Sequence, residues 1–296
     1  PAVCPTLLRM SRTFSRLAGL CDNLPYRGGS AMSKTIFMIH GMWGGSWCWA
    51  HYRGFFEGLG YTCVTPTLRH HDVAPEDPPP ANLGTTSLLD YAADLEAEIA
   101  QLTELPILIG HSMGGLLAQI LASRGLARAV VLLTPASPAG IMALTPSVIR
   151  SFWSTLTRNN FWRLPHRPTF SEACYSMLNV LSPDEQRAAY DRFVYESGRA
   201  ASEIGFWIFD SERASHVNEN EVKCPVLVVA GAEDRITPAS VVRKVARKYG
   251  PTTQYAEAEG HGHWLMAEPG WQHVAETVAD WLDRIRTGFG AGESVN

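Results

Sequence analysis

PILIGHSMGGLLAQILASR, residues 106–124, is the stretch on which the reading of the whole chain turns. Pro106 to Gly110 is an apolar run of strand length, and from Met113 onward apolar residues recur at helical spacing. Between the two lies Gly110-His111-Ser112-Met113-Gly114, a G-x-S-x-G pentapeptide. The string alone is weak, because glycine and serine are common residues. Its setting gives it meaning: a sharp strand-to-helix turn lifts a serine Oγ above the sheet, near the positive end of the helix. Small residues are needed on either side, because neighbouring backbone passes too close for side chains. The bland reading is an ordinary turn with a helix-capping serine.

Working outward, the same alternation recurs. KTIFMIHG (34–41), YTCVTPTL (61–68), ARAVVLLTPA (127–136) and CPVLVVAGAED (224–234) are further strand-like runs, and TTQYAEAEG (252–260) is a weaker sixth. The strongest are apolar without alternation, as expected of parallel strands covered on both faces. Residues 86–103, 113–124, 238–249 and 271–286 carry helical periodicity, with Pro238 suited to a first turn. Strands alternating with helices predict an α/β fold with a doubly wound, mostly parallel sheet of about six strands.

The alternation stops between about Gly140 and Val222. That stretch is dense in aromatics, among them Phe152, Trp153, Phe161, Trp162, Phe193 and Phe206. No strand is expected there, and Ser182-Pro183-Asp184-Glu185 is a capping box with proline at the first helical position. The predicted organisation is therefore a core made of residues 32–139 and 223–296, with a helical cap at 140–222. The aromatics predict an enclosed, mostly apolar pocket between cap and Ser112, bordered also by Trp43 and Trp264. Residues 1–31 are read as an appendage, with Met32-Ser33-Lys34 serving as an ordinary start. Its Leu7, Leu8, Met10, Phe14, Leu17 and Leu20 are spaced as an amphipathic helix, expected to pack on the core or on a neighbouring subunit of a homo-oligomer.

Composition narrows the partners. The chain of 296 residues is 46% hydrophobic and 18% charged, with formal net charge −4. Nucleic acid is not expected as a partner, since phosphate binding needs a concentrated basic surface. No apolar run approaches the ~20 residues of a membrane span. Six cysteines without metal-like spacing fit a reducing compartment, and a cytoplasmic location is expected.

A serine is a poor nucleophile without an adjacent base, and the base needs a carboxylate to hold its tautomer. His261 and His263 follow the sixth strand, and Asp234 follows the fifth, in the order Ser, Asp, His. From Lys34 to Arg286 the chain resembles the α/β-hydrolase superfamily in four motifs. His40-Gly41-Met42-Trp43-Gly44-Gly45 is similar to the family's His-Gly oxyanion loop, and Ser112 occupies its elbow. Gly231 through Pro238 resembles the acid loop, and Gly262-His263 with Glu268-Pro269 resembles the histidine loop. The resemblance selects Asp234 over Glu233 and His263 over His261, and implies oxyanion donors at the backbone N–H of Met42 and Met113.

HGMWGGSWCW looks closest to small esterases related to hydroxynitrile lyases and methyl esterases. A lyase of that group is expected to carry lysine after the catalytic histidine; Trp264 stands there, which favours hydrolysis. The family's first two strands have no counterpart before Lys34. The expected activity is hydrolysis of small to medium carboxylic esters, with Ser112, His263 and Asp234 as triad and no cofactor. Thioesterase, lactonase, acyltransferase and carbon–carbon hydrolase chemistry share the same nucleophile logic, and a non-catalytic small-ligand receptor is the alternative of another class. A metal site built from His261, His263 or His70-His71-Asp72 lacks a recognised ligand pattern, and His70 and His71 are expected to be solvated loop residues.

Overall fold

Five-residue apolar runs become the centre of the sheet because neither face of them tolerates water. In the computed structural model, which describes residues 33–250 and 253–290, β1 (Thr35–Ile39), β2 (Thr62–Val64), β3 (Ile107–His111) and β4 (Ala129–Leu133) come first. The two-residue strands β5 (Pro165–His166) and β6 (Glu196–Ser197) pair antiparallel and stand apart. β7 (Val226–Gly231) and β8 (Thr253–Ala258) complete a six-stranded sheet of order β2-β1-β3-β4-β7-β8. All five pairings within it are parallel. Every residue of β3 and β4 is buried, as their unbroken apolar sequences required. The expected N-terminal amphipathic helix lies outside the described residues.

The strand order reverses beside β1: the chain moves outward to β2, then crosses back to lay β3 on the other side. Right-handed crossovers in opposite directions put helices on both faces of the sheet. α1 (Ala50–Gly58) follows β1, and α2 (Leu88–Ile99) and α3 (Met113–Ser123) flank β3. The crevice at such a reversal, outside the carboxyl ends of the strands, is where open α/β sheets bind ligands. Here it is formed by the end of β1, leading to His40-Gly41-Met42, and the end of β3, leading to Ser112.

Between β4 and β7 the chain runs through α4 (Pro146–Ser151), α5 (Trp153–Leu156), α6 (Phe170–Ser176), α7 (Pro183–Tyr190) and α8 (Gly198–Gly205). Their starts are chemically specified. Thr169 with Glu172 and Ser182 with Glu185 form reciprocal capping boxes, while Thr145 and Ser197 accept from the backbone N–H of Val148 and Ala200. The β5–β6 pair was not foreseen, since two residues carry no readable periodicity. After β7, α9 (Ala239–Lys248) and α10 (Trp271–Gly290) close the fold, with Pro238 as the residue just before α9. Among the described residues no helix is long and apolar enough to cross a membrane.

One contact sets how closely β1 and α3 approach. A Cβ built on Gly114, in the first turn of α3, would lie 2.1 Å from the Ile39 carbonyl oxygen. By contrast Gly54, inside α1, has nothing within 4 Å of a Cβ. Gly114→Ala should therefore cost about 3 kcal/mol or more. Gly54→Ala should stabilise by about 0.5–1 kcal/mol, through helix propensity. Urea unfolding of both variants checks this, and equal midpoints would remove the steric argument.

Candidate active site

Ser112 is the hinge between β3 and α3. Its backbone is at φ 54°, ψ −121°, a conformation that costs a non-glycine residue roughly 1–3 kcal/mol and persists only when its surroundings enforce it. The Ser112 N–H donates to the Leu133 carbonyl at 3.1 Å, and its own carbonyl accepts from Ala136 N–H at 2.8 Å. Its side chain makes no capping hydrogen bond to α3, so the ordinary capping-serine reading fails. The Oγ is left at the amino end of a helix whose first N–H groups have no partner inside the helix.

Asp234 and His263 meet from two loops. His263 Nδ1–H donates to Asp234 Oδ2 at 2.8 Å, and both side chains are buried. Asp234 Oδ1 accepts from the backbone N–H of Ile236 and Thr237 at 2.8 and 2.9 Å, and the Thr237 hydroxyl lies 2.7 Å from Oδ2. The carboxylate is thus fully occupied and cannot swing. Glu233, its exposed neighbour, contributes only backbone, donating to the His261 carbonyl.

The histidine loop is clipped to the serine turn. His111 Nε2–H donates to the His263 carbonyl at 2.8 Å, and Thr134 Oγ1 donates to the same oxygen at 3.2 Å. The His111 and His263 ring centroids are 4.8 Å apart, which places the imidazole beside the residue preceding Ser112. No hydrogen bond joins Ser112 Oγ to His263 among the described residues; such contacts are commonly long without substrate. His261 turns away to Glu268, which also accepts from the N–H of Gly262 and Trp264 and so shapes the loop. Sequence reasoning noted Glu268 only as a spacing mark, and missed the roles of His111, Thr134 and Thr237.

Behind the His-Gly loop lies a polar cluster the sequence did not announce. His71, expected as a solvated loop residue, is instead buried. Its Nδ1–H donates to the Arg69 carbonyl at 3.0 Å, and Nε2 pairs with Glu196 Oε2 at 3.1 Å. Glu196 Oε1 accepts from Tyr91 Oη at 2.7 Å and from Ser197 N–H at 2.6 Å. Burial alone would pull the His71 pKa down, but the Glu196 carboxylate outweighs it and raises it. Burial would likewise raise Glu196, yet the His71 charge and the donors around it hold it low. His40, 5.3 Å from His71, is pushed to about 3 by burial. It stays neutral, donating from Nδ1 to the Gly41 carbonyl and accepting Leu68 N–H at Nε2.

A cavity of about 80 Å³ opens on Ser112. Met42, Met113, Phe152, Leu156, Phe161 and Ile204 are among its walls, with Thr155, Ser137 and Thr237 as its polar side chains besides Ser112. Neither Trp43 nor Trp264, both expected in the wall, lines it. Trp43, whose backbone is at φ 62°, packs behind, against Phe152 and the edge of His166. Trp264 packs tilted against Trp47 and Phe193 and edge-on to His111.

The sequence model of the alpha/beta hydrolase family matches residues 36–279. No curated protein sequence matches the chain. Among solved structures, a methylesterase from Arabidopsis is similar with TM-score 0.61 at 15% identity, over 86% of this chain and 98% of that one. A monoacylglycerol lipase from Paleococcus ferrophilus has TM-score 0.61 at 22% identity, over 87% and 97%. A pyrethroid hydrolase from Sphingobium faniae has TM-score 0.60 at 18% identity, over 84% and 97%. At these identities the likeness speaks to the fold alone.

The Glu196–His71 pair has a testable pH signature. The raised histidine contributes stability that is complete below its ordinary value of 6.5 and is lost as pH rises through the raised value. The lowered carboxyl contributes stability present above 4.5 and lost as pH falls through the lowered value. The wild-type advantage over Glu196→Gln, about 3–5 kcal/mol for a broken buried pair, should therefore be largest between those two values. Urea unfolding from about pH 5.5 to 9 should show it shrinking on the alkaline side. A pH-independent difference would mean that the pair is not ionised.

Proposed function

The chain belongs to the alpha/beta hydrolase family, and from that membership we propose that it is a serine hydrolase cleaving small to medium carboxylic esters through an acyl-enzyme. The observation that carries this reading is the His263–Asp234 hydrogen bond on a loop clipped to the residue before Ser112. Asp234 fixes the proton on Nδ1, which leaves Nε2 as the basic nitrogen.

In this mechanism Ser112 Oγ attacks the ester carbonyl carbon and its proton passes to His263 Nε2. The oxyanion that forms is received by the backbone N–H of Met113, at the start of α3, and of Met42 on the His-Gly loop. Collapse of the tetrahedral intermediate breaks the bond to the alcohol, which takes the proton from His263. Water then attacks the acyl-serine by the same path, with His263 again as base. The apolar walls around Ser112 fit an uncharged acyl group close to the scissile bond.

Ser112→Ala and His263→Ala should each lower kcat for p-nitrophenyl butyrate on the order of 10⁴-fold or more, and the double variant should be little worse. Asp234→Asn should be damaging because it misplaces the imidazole proton, whereas Glu233→Gln should not. Binding without turnover by the wild type would favour a receptor; a costlier Glu233→Gln would overturn the acid assignment.

A further inference from the structure

Two cavities share one residue. α8 presents Ala201, Ile204 and Gly205 to the Ser112 cavity. Its Arg199, Ser202 and Glu203 line a second, more open pocket of about 360 Å³. Each set is spaced i, i+3, i+4, so the two spaces lie on opposite faces of a partition one helix thick. The neighbouring 161–163 turn divides the same way: Phe161 faces inward, and Trp162 and Arg163 face outward. Phe206, where α8 ends, lines both.

The partition is tight at one end and loose at the other. At the amino end of α8, a Cβ on Gly198 would lie 1.8 Å from the Phe161 carbonyl oxygen, so helix and turn are in direct backbone contact. At the other end, the nearest atom to a Cβ on Gly205 is 4.0 Å away. The Phe206 ring is half-buried, and its centroid lies 5.8 Å from that of Phe161. Phe206 is the one residue the two linings have in common, so its side chain stands where they adjoin.

Their chemistries differ. The inner cavity is apolar, whereas the outer pocket holds two guanidinium and two carboxylate groups. The carboxylates are committed. Glu203 accepts from Ser87 Oγ, Leu88 N–H and Arg199 Nε–H, and Asp210 accepts from the N–H groups of Glu212 and Ala214. The cations are not: Arg199 uses only Nε, and the Arg163 guanidinium has no hydrogen bond or ion pair among the described residues, its backbone N–H donating to the Asn160 carbonyl. Unused guanidinium donors beside satisfied acceptors match a carboxylate, to which arginine bonds bidentately.

We propose that the outer pocket is a second subsite of the same active centre, gated by Phe206, and that Arg163 and Arg199 hold a carboxylate at the far end of the acyl chain. The substrate class is then the half-ester of a dicarboxylic acid: the ester at Ser112, an apolar chain past Phe206, and the free carboxylate outside. A partition one helix thick is about 10 Å across, roughly the reach of a ten-carbon acyl chain. This inference rests on the serine-hydrolase reading.

The test compares p-nitrophenyl butyrate, p-nitrophenyl decanoate and the mono-p-nitrophenyl ester of decanedioic acid. The wild type should favour the half-ester over the decanoate in kcat/KM by about tenfold or more, the worth of a charge-assisted hydrogen bond. Arg163→Gln should collapse that ratio through KM, and Phe206→Ala should raise both long esters relative to butyrate. A preference for decanoate, a ratio indifferent to Arg163→Gln, or long and short esters responding alike to Phe206→Ala would each overturn the proposal. Failure to hydrolyse butyrate would strike the hydrolase reading instead. Calorimetric binding of decanedioate to the protein, weakened by Arg163→Gln, would then still decide the subsite.

Discussion

The approach of backbone to backbone, with no side chain between, is the constraint on which the site depends. At Gly114 the first turn of α3 sits against the end of β1, where a Cβ would meet the Ile39 carbonyl at 2.1 Å. At Gly231 the end of β7 meets the histidine loop, where a Cβ would lie 2.0 Å from the Gly262 carbonyl. The first contact sets the distance from Ser112 to the His-Gly loop; the second sets the distance from the acid loop to His263. Reaction geometry tolerates errors of only a few tenths of an ångström, and packed main chain is the stiffest means a protein has of holding them. Positioning at this site is thus written into the backbone before any side-chain hydrogen bond is counted.

A second constraint is electrostatic. Glu196 and His71 are 125 residues apart in sequence and wholly buried together. Burying two charges costs several kcal/mol per ion, and their attraction offsets this only when the remaining lone pairs and protons are also satisfied. Here they are, by Tyr91, Ser197 and the Arg69 carbonyl. An apolar pair could have filled the same volume at less cost. The ion pair joins β6, which lies between β4 and β7 in the chain, to the loop after β2. Through His40 it abuts the His-Gly loop.

The sheet was legible because a strand buried on both faces has no choice but to be apolar, and the order of elements followed from their alternation. The candidates Ser112 and Asp234 are legible because each follows such a run, whereas His263 follows the partly buried β8 and is picked out by the histidine-loop resemblance instead. Other features escaped for physical reasons. The second strand stops at Val64 rather than running to Leu68, since Pro66 has no N–H to give the ladder. The burial of His71 depends on a carboxylate far along the chain, and no local pattern encodes that pairing. Trp43 follows Met42 and Trp264 follows His263 in sequence, yet neither lines the cavity. Neighbours in sequence need not share a wall: Trp43 packs on Phe152 and His166, and Trp264 on Trp47 and Phe193.

The histidines show how one residue type is divided among tasks by surroundings alone. Burial keeps His40 and His166 neutral, at about 3 and 4, and lowers His111 as well. Each is then a fixed tautomer or a packing ring. His40 spends both nitrogens on backbone, and His111 donates one to the His263 carbonyl. His71 spends both on acceptors, and His261 faces Glu268. His263 alone combines a carboxylate on one nitrogen with a loop clipped to the Ser112 turn, leaving the other nitrogen uncommitted. A general base needs that combination: a partner to stabilise the imidazolium, and a free lone pair to take the proton. Both His261 and His263 have a carboxylate at Nδ1, so what separates them is the clip of the His263 carbonyl to His111 and Thr134, which holds that ring beside the Ser112 turn.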